Sequence, residues 1–287
     1  MEIGHHNVEV APITETEFSL YQNLLSDISG IIIKPTQKYL VEKRLADLVY
    51  ETKTSGFMDL YNKVRGNRTL TTRVIDLMTT NETLWFRDAS CWQTIEEAVI
   101  PRLVEKLEKG QPNVKIWSAA SSSGQEAYSL AILIDEYFKR HYKTNLLDRI
   151  RILGTDISTE IVEAAMHGVY DSFSMSRGLS ESRIQQYFTK QGSNQWLLNP
   201  EIKNRVEFKL LNLKKPFTFF EKFDLVFCRN VTIYFSEKMK EDLLERISKT
   251  LNKDGVLFLG STETLMGIRH TYKMQRHKTG VFYTHPE

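Results

Sequence analysis

A chain of 287 residues is long enough for a sheet domain plus a smaller unit. Its 41% hydrophobic and 26% charged residues are those of an ordinary soluble globular protein, and 38 Lys+Arg against 36 Asp+Glu leave a net charge of +2, too little to draw nucleic acid to the whole molecule. No apolar run approaches the ~20 residues of a membrane span, the first twelve residues lack the plan of a signal peptide, and Cys91 and Cys228 are too far apart for a disulfide framework or a structural zinc site, so a reduced, cytoplasmic protein is expected.

Residues 1–12 are expected to form a disordered leader, in which His5-His6 gives little reason to expect a metal. Residues 13–90 read as a helical domain. Phe18, Tyr21, Leu24, Leu25 and Ile28 fit one amphipathic helix ending near Gly30, and Leu40, Val41, Leu45, Leu48 and Val49 fit a second after Pro35. Arg44 falls inside the apolar arc of that second helix, so it is either paired in a helix contact or reaching a neighbouring domain or ligand. Lys34 to Arg73 holds nine basic residues and four acidic ones. Such a run is a solvated face or a basic surface that docks an acidic protein. Thr79 to Asp88 then gives a polar turn, the aromatic pair Trp85-Phe86, and Arg87. Asn81 and Thr83 either cap the helix that runs on to Gly110 or belong to a site.

Residues 91–287 read as an α/β sheet domain. Val114, Ile116 and Trp117 form a strand, Ser118 to Gly124 a turn of small residues, and Ala127 to Phe138 an apolar pattern at helical spacing. Strand, tight turn and helix make the first unit of an open nucleotide-binding sheet, or an ordinary strand and a Ser-capped helix. Arg151 to Ser158 is a second strand ending on Asp156. That acid is placed to accept from a ribose diol, although further downstream than the usual ~20 residues, or it caps the next helix. Residues 170–207 break the rhythm and suggest an insertion, with a helix from Ser180 to Tyr187, a turn at Gln191–Asn194 and a small antiparallel sheet. The sheet resumes at Val206–Leu211 and in the apolar strand Phe223–Asn230. A helix bearing Met239, Leu243, Leu244, Ile247 and Leu251 follows, then strands at Val256–Gly260 and at Phe282-Tyr283.

Three strand tips carry the polar or small groups: Ser118–Gly124, Asp156 and Arg229–Asn230, with Asn212 just before the central strand. In an open α/β sheet these tips share one edge, where ligands bind. An adenine–ribose ligand without a diphosphate fits best, because the turn lacks the pyrophosphate-binding glycines and there is no G-x-x-x-x-G-K-[ST] loop.

Four segments in order, Thr80-Asn-Glu-Thr-Leu-Trp-Phe-Arg87, Trp117-Ser-Ala-Ala-Ser-Ser-Ser-Gly-Gln-Glu-Ala-Tyr-Ser129, Gly154-Thr-Asp-Ile-Ser158 and Phe227-Cys-Arg-Asn-Val-Thr-Ile-Tyr-Phe235, resemble the CheR family of S-adenosylmethionine-dependent chemoreceptor glutamate methyltransferases. The resemblance runs from about Phe18 to Tyr283. It implies a Rossmann-like methyltransferase sheet with an N-terminal all-helical domain and an inserted small antiparallel β-subdomain. It also implies that Asn81, Thr83 and Arg87 face the cofactor, that Glu126 lies behind the small-residue turn and that Asp156 holds the ribose. Asn212, Leu213, Arg229 and Asn230 then flank the adenosine or methionine portion. Ser121, Gln125, Ala127 and Thr232 depart from the family's usual residues.

The activity so implied is transfer of a methyl group from S-adenosylmethionine to glutamates on the cytoplasmic helices of chemoreceptors, leaving methyl esters and S-adenosylhomocysteine. No metal and no nucleic acid take part, and a carboxylate nucleophile needs no general base. Arg87 or Arg229 orients a carboxylate, and Tyr234 is a substrate-side group or an aromatic packed under the next helix. The enzyme is expected to be a cytoplasmic monomer, recruited to membrane receptor arrays without inserting. Its insertion is shorter than in members that grip a receptor C-terminal pentapeptide, so pentapeptide-independent binding is expected. The alternatives are a non-catalytic S-adenosylmethionine sensor or scaffold, and a carboxyl methyltransferase acting on another signalling protein.

Overall fold

The structure, a computed structural model, describes residues 10–217 and 221–285. Most of the expected leader, including His5 and His6, lies outside the described residues. The chain forms two compact units. One holds the described residues to Thr80 together with Tyr234–Ser236, and the other Asn81–Ile233 and the described residues from Glu237.

The helical unit is built from α1 (Glu15–Ser29), α2 (Lys38–Glu51), α3 (Phe57–Val64) and α4 (Arg68–Met78). Thr14 and Glu17 cap the start of α1 reciprocally, each side chain accepting from the other's backbone N–H. Asn67 caps α4. Phe18, Tyr21 and Leu25 of α1 meet Val41, Leu45 and Leu48 of α2 in one buried cluster, as their spacing predicts. Arg44 is paired within this unit: its Nη1 donates to Met78 O at 2.9 Å and Thr79 O at 3.1 Å, the open carbonyls at the end of α4. Other members of the basic run are also engaged, Lys38 with Glu15 and Lys63 with Thr52 O.

The sheet unit begins ten residues before the boundary expected at 90, because Trp85 to Asp88 are held by residues of the sheet unit. It opens with α5 (Ala89–Thr94), a π-helical turn at Ile95–Val99 and α6 (Ile100–Glu108). The π turn, in which the Ile100 N–H reaches back to Ile95 O, lies just before Pro101, whose ring and missing N–H disrupt a regular α ladder. Then follow β1 (Val114–Ala119), α7 (Gln125–Arg140), β2 (Ile150–Asp156) and α8 (Thr159–His167). The insertion contains β3 (Val169–Asp171), α9 (Ser172–Ser176), α10 (Glu181–Tyr187), β4 (Phe188–Gln191), β5 (Gln195–Leu198) and α11 (Pro200–Lys203), its strands forming an antiparallel sheet in the order β3-β5-β4. The main sheet resumes with β6 (Val206–Leu210), β7 (Phe223–Cys228), α12 (Glu237–Thr250), β8 (Leu251–Leu259), β9 (Lys273–His277) and β10 (Gly280–Thr284).

The main sheet has the order β6-β2-β1-β7-β8-β10-β9. The first five strands are parallel, and the β9–β10 hairpin closes the sheet antiparallel. From β1 the strand order runs outward in both directions, so the β1/β7 junction is the switch point where a crevice opens at the strand tips. Every residue of β7 is buried, as a central parallel strand requires.

Candidate functional site

At the tip of β1 the backbone turns sharply, with Ala120 (φ 55°), Ser122 (φ 51°) and Gly124 (φ 93°) all left-handed. Two side chains larger than Gly in that region carry strain, which is held by bonds to the neighbouring strand. Ser121 N–H donates to Thr155 O at 2.9 Å, and Ser122 N–H donates to the Asp156 carboxylate at 2.9 Å. Asp156 is buried at the end of β2 and also accepts from Ser158 N–H at 3.1 Å. The N-cap of α8 is Ser158, whose own hydroxyl accepts from Ile161 N–H. Gly154 leaves room for this turn, since a Cβ there would come within 2.4 Å of the Phe208 ring and 3.0 Å of Ser121 Oγ.

Segment 81–88 is fastened to the same edge. Ser122 Oγ donates to Asn81 O at 2.8 Å, and Phe86 N–H donates to Ser129 Oγ at 3.1 Å. Asn81 and Thr83 do not cap the following helix, which starts at Ala89 after a left-handed Asp88. Arg87 O accepts from Trp92 Nε1 and from Arg229 Nη2, while the Arg87 guanidinium has no hydrogen-bond or ion-pair partner among the described residues and is part exposed.

Arg229 stands at the end of β7 with a side chain 2% exposed. Nη1 donates to Glu126 Oε2 at 2.8 Å and Nη2 to Asp88 Oδ2 at 2.6 Å. Burial opposes the charge, but the carboxylates of Glu126 and Asp88 outweigh it and hold the guanidinium pKa above its ordinary value. Glu126, on the first turn of α7, also accepts from Ser118 Oγ at 2.8 Å. The pairing therefore joins β1, α7, β7 and segment 81–88, and Arg229 is committed to carboxylates of the protein itself. Its Nε, together with Ser121 Oγ, is buried with no hydrogen-bond partner among the described residues.

Asn230 follows in a left-handed conformation (φ 58°), which Asn adopts more readily than most residues. Its N–H donates to Glu263 at 2.7 Å. Asn212 and buried Leu213 lie just past β6, where Asn212 Oδ1 accepts from Lys214 N–H and Leu213 O from Arg246. Tyr234 is grouped by its contacts with the helical unit, its carbonyl accepting from Ile32 N–H at 2.9 Å. The strand tips thus gather Asn81, Arg87, Glu126, Asp156, Asn212, Arg229 and Asn230. Glu263 and Asp88 are bonded to these tips without having been singled out in the sequence, whereas Ser122 belongs to the Ser118–Gly124 tip already named. For Glu263 the signal was available, as a fourth strand tip, Gly260-Ser-Thr-Glu263, that ends in polar residues.

Neither cysteine suits nucleophilic chemistry, since burial pushes the Cys91 thiol up to about 12 and Cys228 is raised well above its ordinary value. A cavity of about 1310 Å³ runs along β2 and β6 and past the starts of β1 and β7, lined by Ile150, Arg151, Val206 and Lys209 among others, and none of the expected site residues lines it. Among the described residues no cluster of three or more His, Cys, Asp or Glu could hold a metal ion, and no helix is long and apolar enough to cross a membrane.

Comparison with known proteins gives this geometry a family. Residues 81–281 match the SAM binding domain of CheR methyltransferases, and residues 16–79 match their all-alpha domain. Chemotaxis protein methyltransferase 1 of Pseudomonas aeruginosa is 41% identical over 93% of this chain and 97% of that one. A chemotaxis protein methyltransferase of Pseudomonas putida is 39% identical over 93% and 97%, and one of Vibrio parahaemolyticus 38% identical over 94% and 97%. With both domains matched in order and relatives aligned over nearly their whole length, the chain belongs to the CheR methyltransferase family.

Proposed function

We propose that the protein is a protein-glutamate O-methyltransferase that esterifies glutamate side chains on the cytoplasmic helices of chemoreceptors, with S-adenosylmethionine as donor and S-adenosylhomocysteine as product. The observation that carries this reading is the buried Asp156 carboxylate beside a turn of small residues at the switch point, in a domain whose family binds S-adenosylmethionine. The donor set fits an adenosine ligand. There is a carboxylate for a diol, there are no diphosphate-binding glycines, and Ser121 Oγ and Arg229 Nε, buried without a hydrogen-bond partner among the described residues, belong to the tips of β1 and β7.

In this reading Asp156 receives the ribose hydroxyls, while Asn212, Leu213 and Asn230 border the adenosine and methionine portions. Asn81 and Thr83 close the site from segment 81–88. Glu126 and Arg229 act mainly on each other, fixing the frame. Arg87, whose guanidinium is unpaired among the described residues, is the group that can orient a carboxylate by a two-point contact. Tyr234 is the acceptor-side candidate of the helical unit, and the basic residues of that unit raise the rate of encounter with an acidic partner.

The donor supplies a methyl carbon bound to a sulfonium. A glutamate carboxylate, ionised at neutral pH, forms the new C–O bond as the C–S bond breaks, so no proton has to be removed. What the chain contributes is alignment and exclusion of water.

The test is transfer of radiolabelled methyl from S-adenosylmethionine to purified chemoreceptor signalling domains, with Asp156→Ala as control. Alkali-labile label on receptor glutamates, lost in the control, is the expected result. Binding of S-adenosylhomocysteine without labelling of any receptor in a cognate panel would overturn the receptor assignment.

A further inference from the structure

We infer that Glu263 is a positioning residue for the methyl donor, holding the strand-tip loop that carries Asn230; the inference rests on the methyl-transfer reading above. One carboxylate receives four hydrogen bonds. Asn230 N–H and Gly260 N–H both donate to Oε2 at 2.7 Å, and Thr232 donates to Oε1 through its N–H at 2.8 Å and its hydroxyl at 2.6 Å. The donors come from the loops leaving β7 and β8, and β7 borders the switch point.

These bonds satisfy three backbone N–H groups that leave their strands at the tips and would otherwise need other partners. They also fix a shape. Asn230 is left-handed, and its side chain lies so close to Gly260 that a Cβ there would meet Asn230 Nδ2 at 2.7 Å and Glu263 Oε2 at 2.8 Å. Glu263 thus holds the Asn230 backbone, and Gly260, lacking a Cβ, leaves the Asn230 side chain the space it occupies. With two donors on each oxygen, Glu263 is already occupied by its own chain, so it acts on the ligand through Asn230 and the turn up to Thr232. An amide cannot replace it, because glutamine would turn an NH₂ group toward backbone N–H donors.

The test is Glu263→Gln in the full chain, read by steady-state kinetics against both substrates, by S-adenosylhomocysteine binding in calorimetry and by melting. The expected result is a rise of about tenfold in KM for S-adenosylmethionine and in the dissociation constant for S-adenosylhomocysteine, about what one lost charge-assisted hydrogen bond is worth, with KM for the protein acceptor changed far less. Loss of folded protein alone would lower apparent kcat and leave both KM values in place, and that outcome overturns the inference. Thr232→Val, which removes one hydroxyl donor, is expected to move the same donor-side constants in the same direction by a smaller factor, and it decides the matter should Glu263→Gln not fold. Asp156→Asn separates the two levels. If it abolishes S-adenosylhomocysteine binding while Glu263→Gln binds within twofold of the parent, the role of Glu263 fails alone. If Asp156→Asn binds normally, the donor site itself is misplaced and the inference falls with it.

Discussion

The sheet unit buries one carboxylate far more completely than its surroundings would tolerate unpaired. Asp224, on β7, has a side chain 1% exposed and accepts from Lys106 at 2.8 Å, from Lys115 N–H at 3.0 Å, and from Gln111 and Asn252. Burial pushes its pKa up, but the bonds from Lys106 and the Lys115 N–H and the charge of Lys106 outweigh burial and hold it below the ordinary value. A carboxyl lowered in the folded state contributes stability above its unfolded pKa, near 3.9, and that contribution is lost as pH falls through the folded value. Asp224→Asn is therefore expected to cost about 3 kcal/mol at pH 7, and the gap between parent and variant should narrow as acid titrates the carboxyl. Urea unfolding at pH 7 and in acid checks this; a gap that is the same at both means the charge is not what matters. Residues of this kind separate what sequence can tell from what it cannot. The place of Asp156 at a strand tip was legible because it ends an apolar strand. Arg229 was legible as a strand-tip residue, but its commitment to Glu126 and Asp88 was not, since those partners come from positions 103 and 141 residues away. Glu263 was legible only as part of a fourth polar strand tip, and its bond to Asn230 was not, since the pairing of β7 with β8 brings the two together.

Elements were legible where burial imposes an apolar pattern on one face or on both, and much less so elsewhere. Helix α7 and strands β1, β2 and β7 follow their apolar patterns closely. Strand β9 has no alternation to read, because four of its five residues are exposed and it is held by β10 alone. Leu251 fits the helical spacing of α12 but begins β8, where it pairs with Phe223. Arg44 shows a charge in an apolar arc explained by a neighbouring helix, since it closes the open carbonyls of α4. Arg44→Ala is expected to cost the helical unit about 1–2 kcal/mol, with Arg44→Lys recovering part of it, as measured by chemical unfolding followed by hydrogen exchange on α4. Equal losses for the two variants would show that charge at this helix end contributes nothing. The insertion depends on a different contact. Trp85 packs edge-on against Tyr170 and Phe188, at centroid distances of 4.9 and 5.3 Å, and Gly178 lies against its backbone. At Gly178 φ is +105°, and a Cβ would fall 1.9 Å from Trp85 O. Gly178→Ala must both strain the backbone and push the segments apart, at a cost of about 2 kcal/mol or more. Hydrogen exchange should then show β4 and β5 opening well before β1 and β7, and retention of full protection in β4 and β5 would refute this account.

Across the whole molecule, the two units have cores that share no residue, one drawn from Ile13 to Met78 and the other from Trp85 to Phe282. The small-residue turn, Asp156, Arg229, Asn230 and Glu263 all belong to the sheet unit of roughly 200 residues. This division was legible in outline, because helical spacing gives way to strand–turn–helix along the chain. Its boundary was not, because the stretch from Asn81 to Asp88 has no apolar periodicity and takes its place from Ser122, Ser129 and Arg229, from Arg177 O, and from the rings packed on Trp85 and Phe86. The division has a thermodynamic consequence. A ligand that binds only the folded sheet unit stabilises it by about 2.7 kcal/mol at one hundred times its dissociation constant. In a unit of that size each kcal/mol raises the melting temperature by roughly 2–4 °C, so S-adenosylhomocysteine should raise it by roughly 5–11 °C. Calorimetry reads the size of the rise, and hydrogen exchange reads its location, with added protection expected at the ends of β1, β2 and β7 and little in α1 to α4. Asp156→Ala should remove both effects together, because the carboxylate proposed to receive the ribose also ties the β1 turn to β2. If the rise survives Asp156→Ala, or if protection concentrates in α1 to α4, the donor does not bind at the switch point.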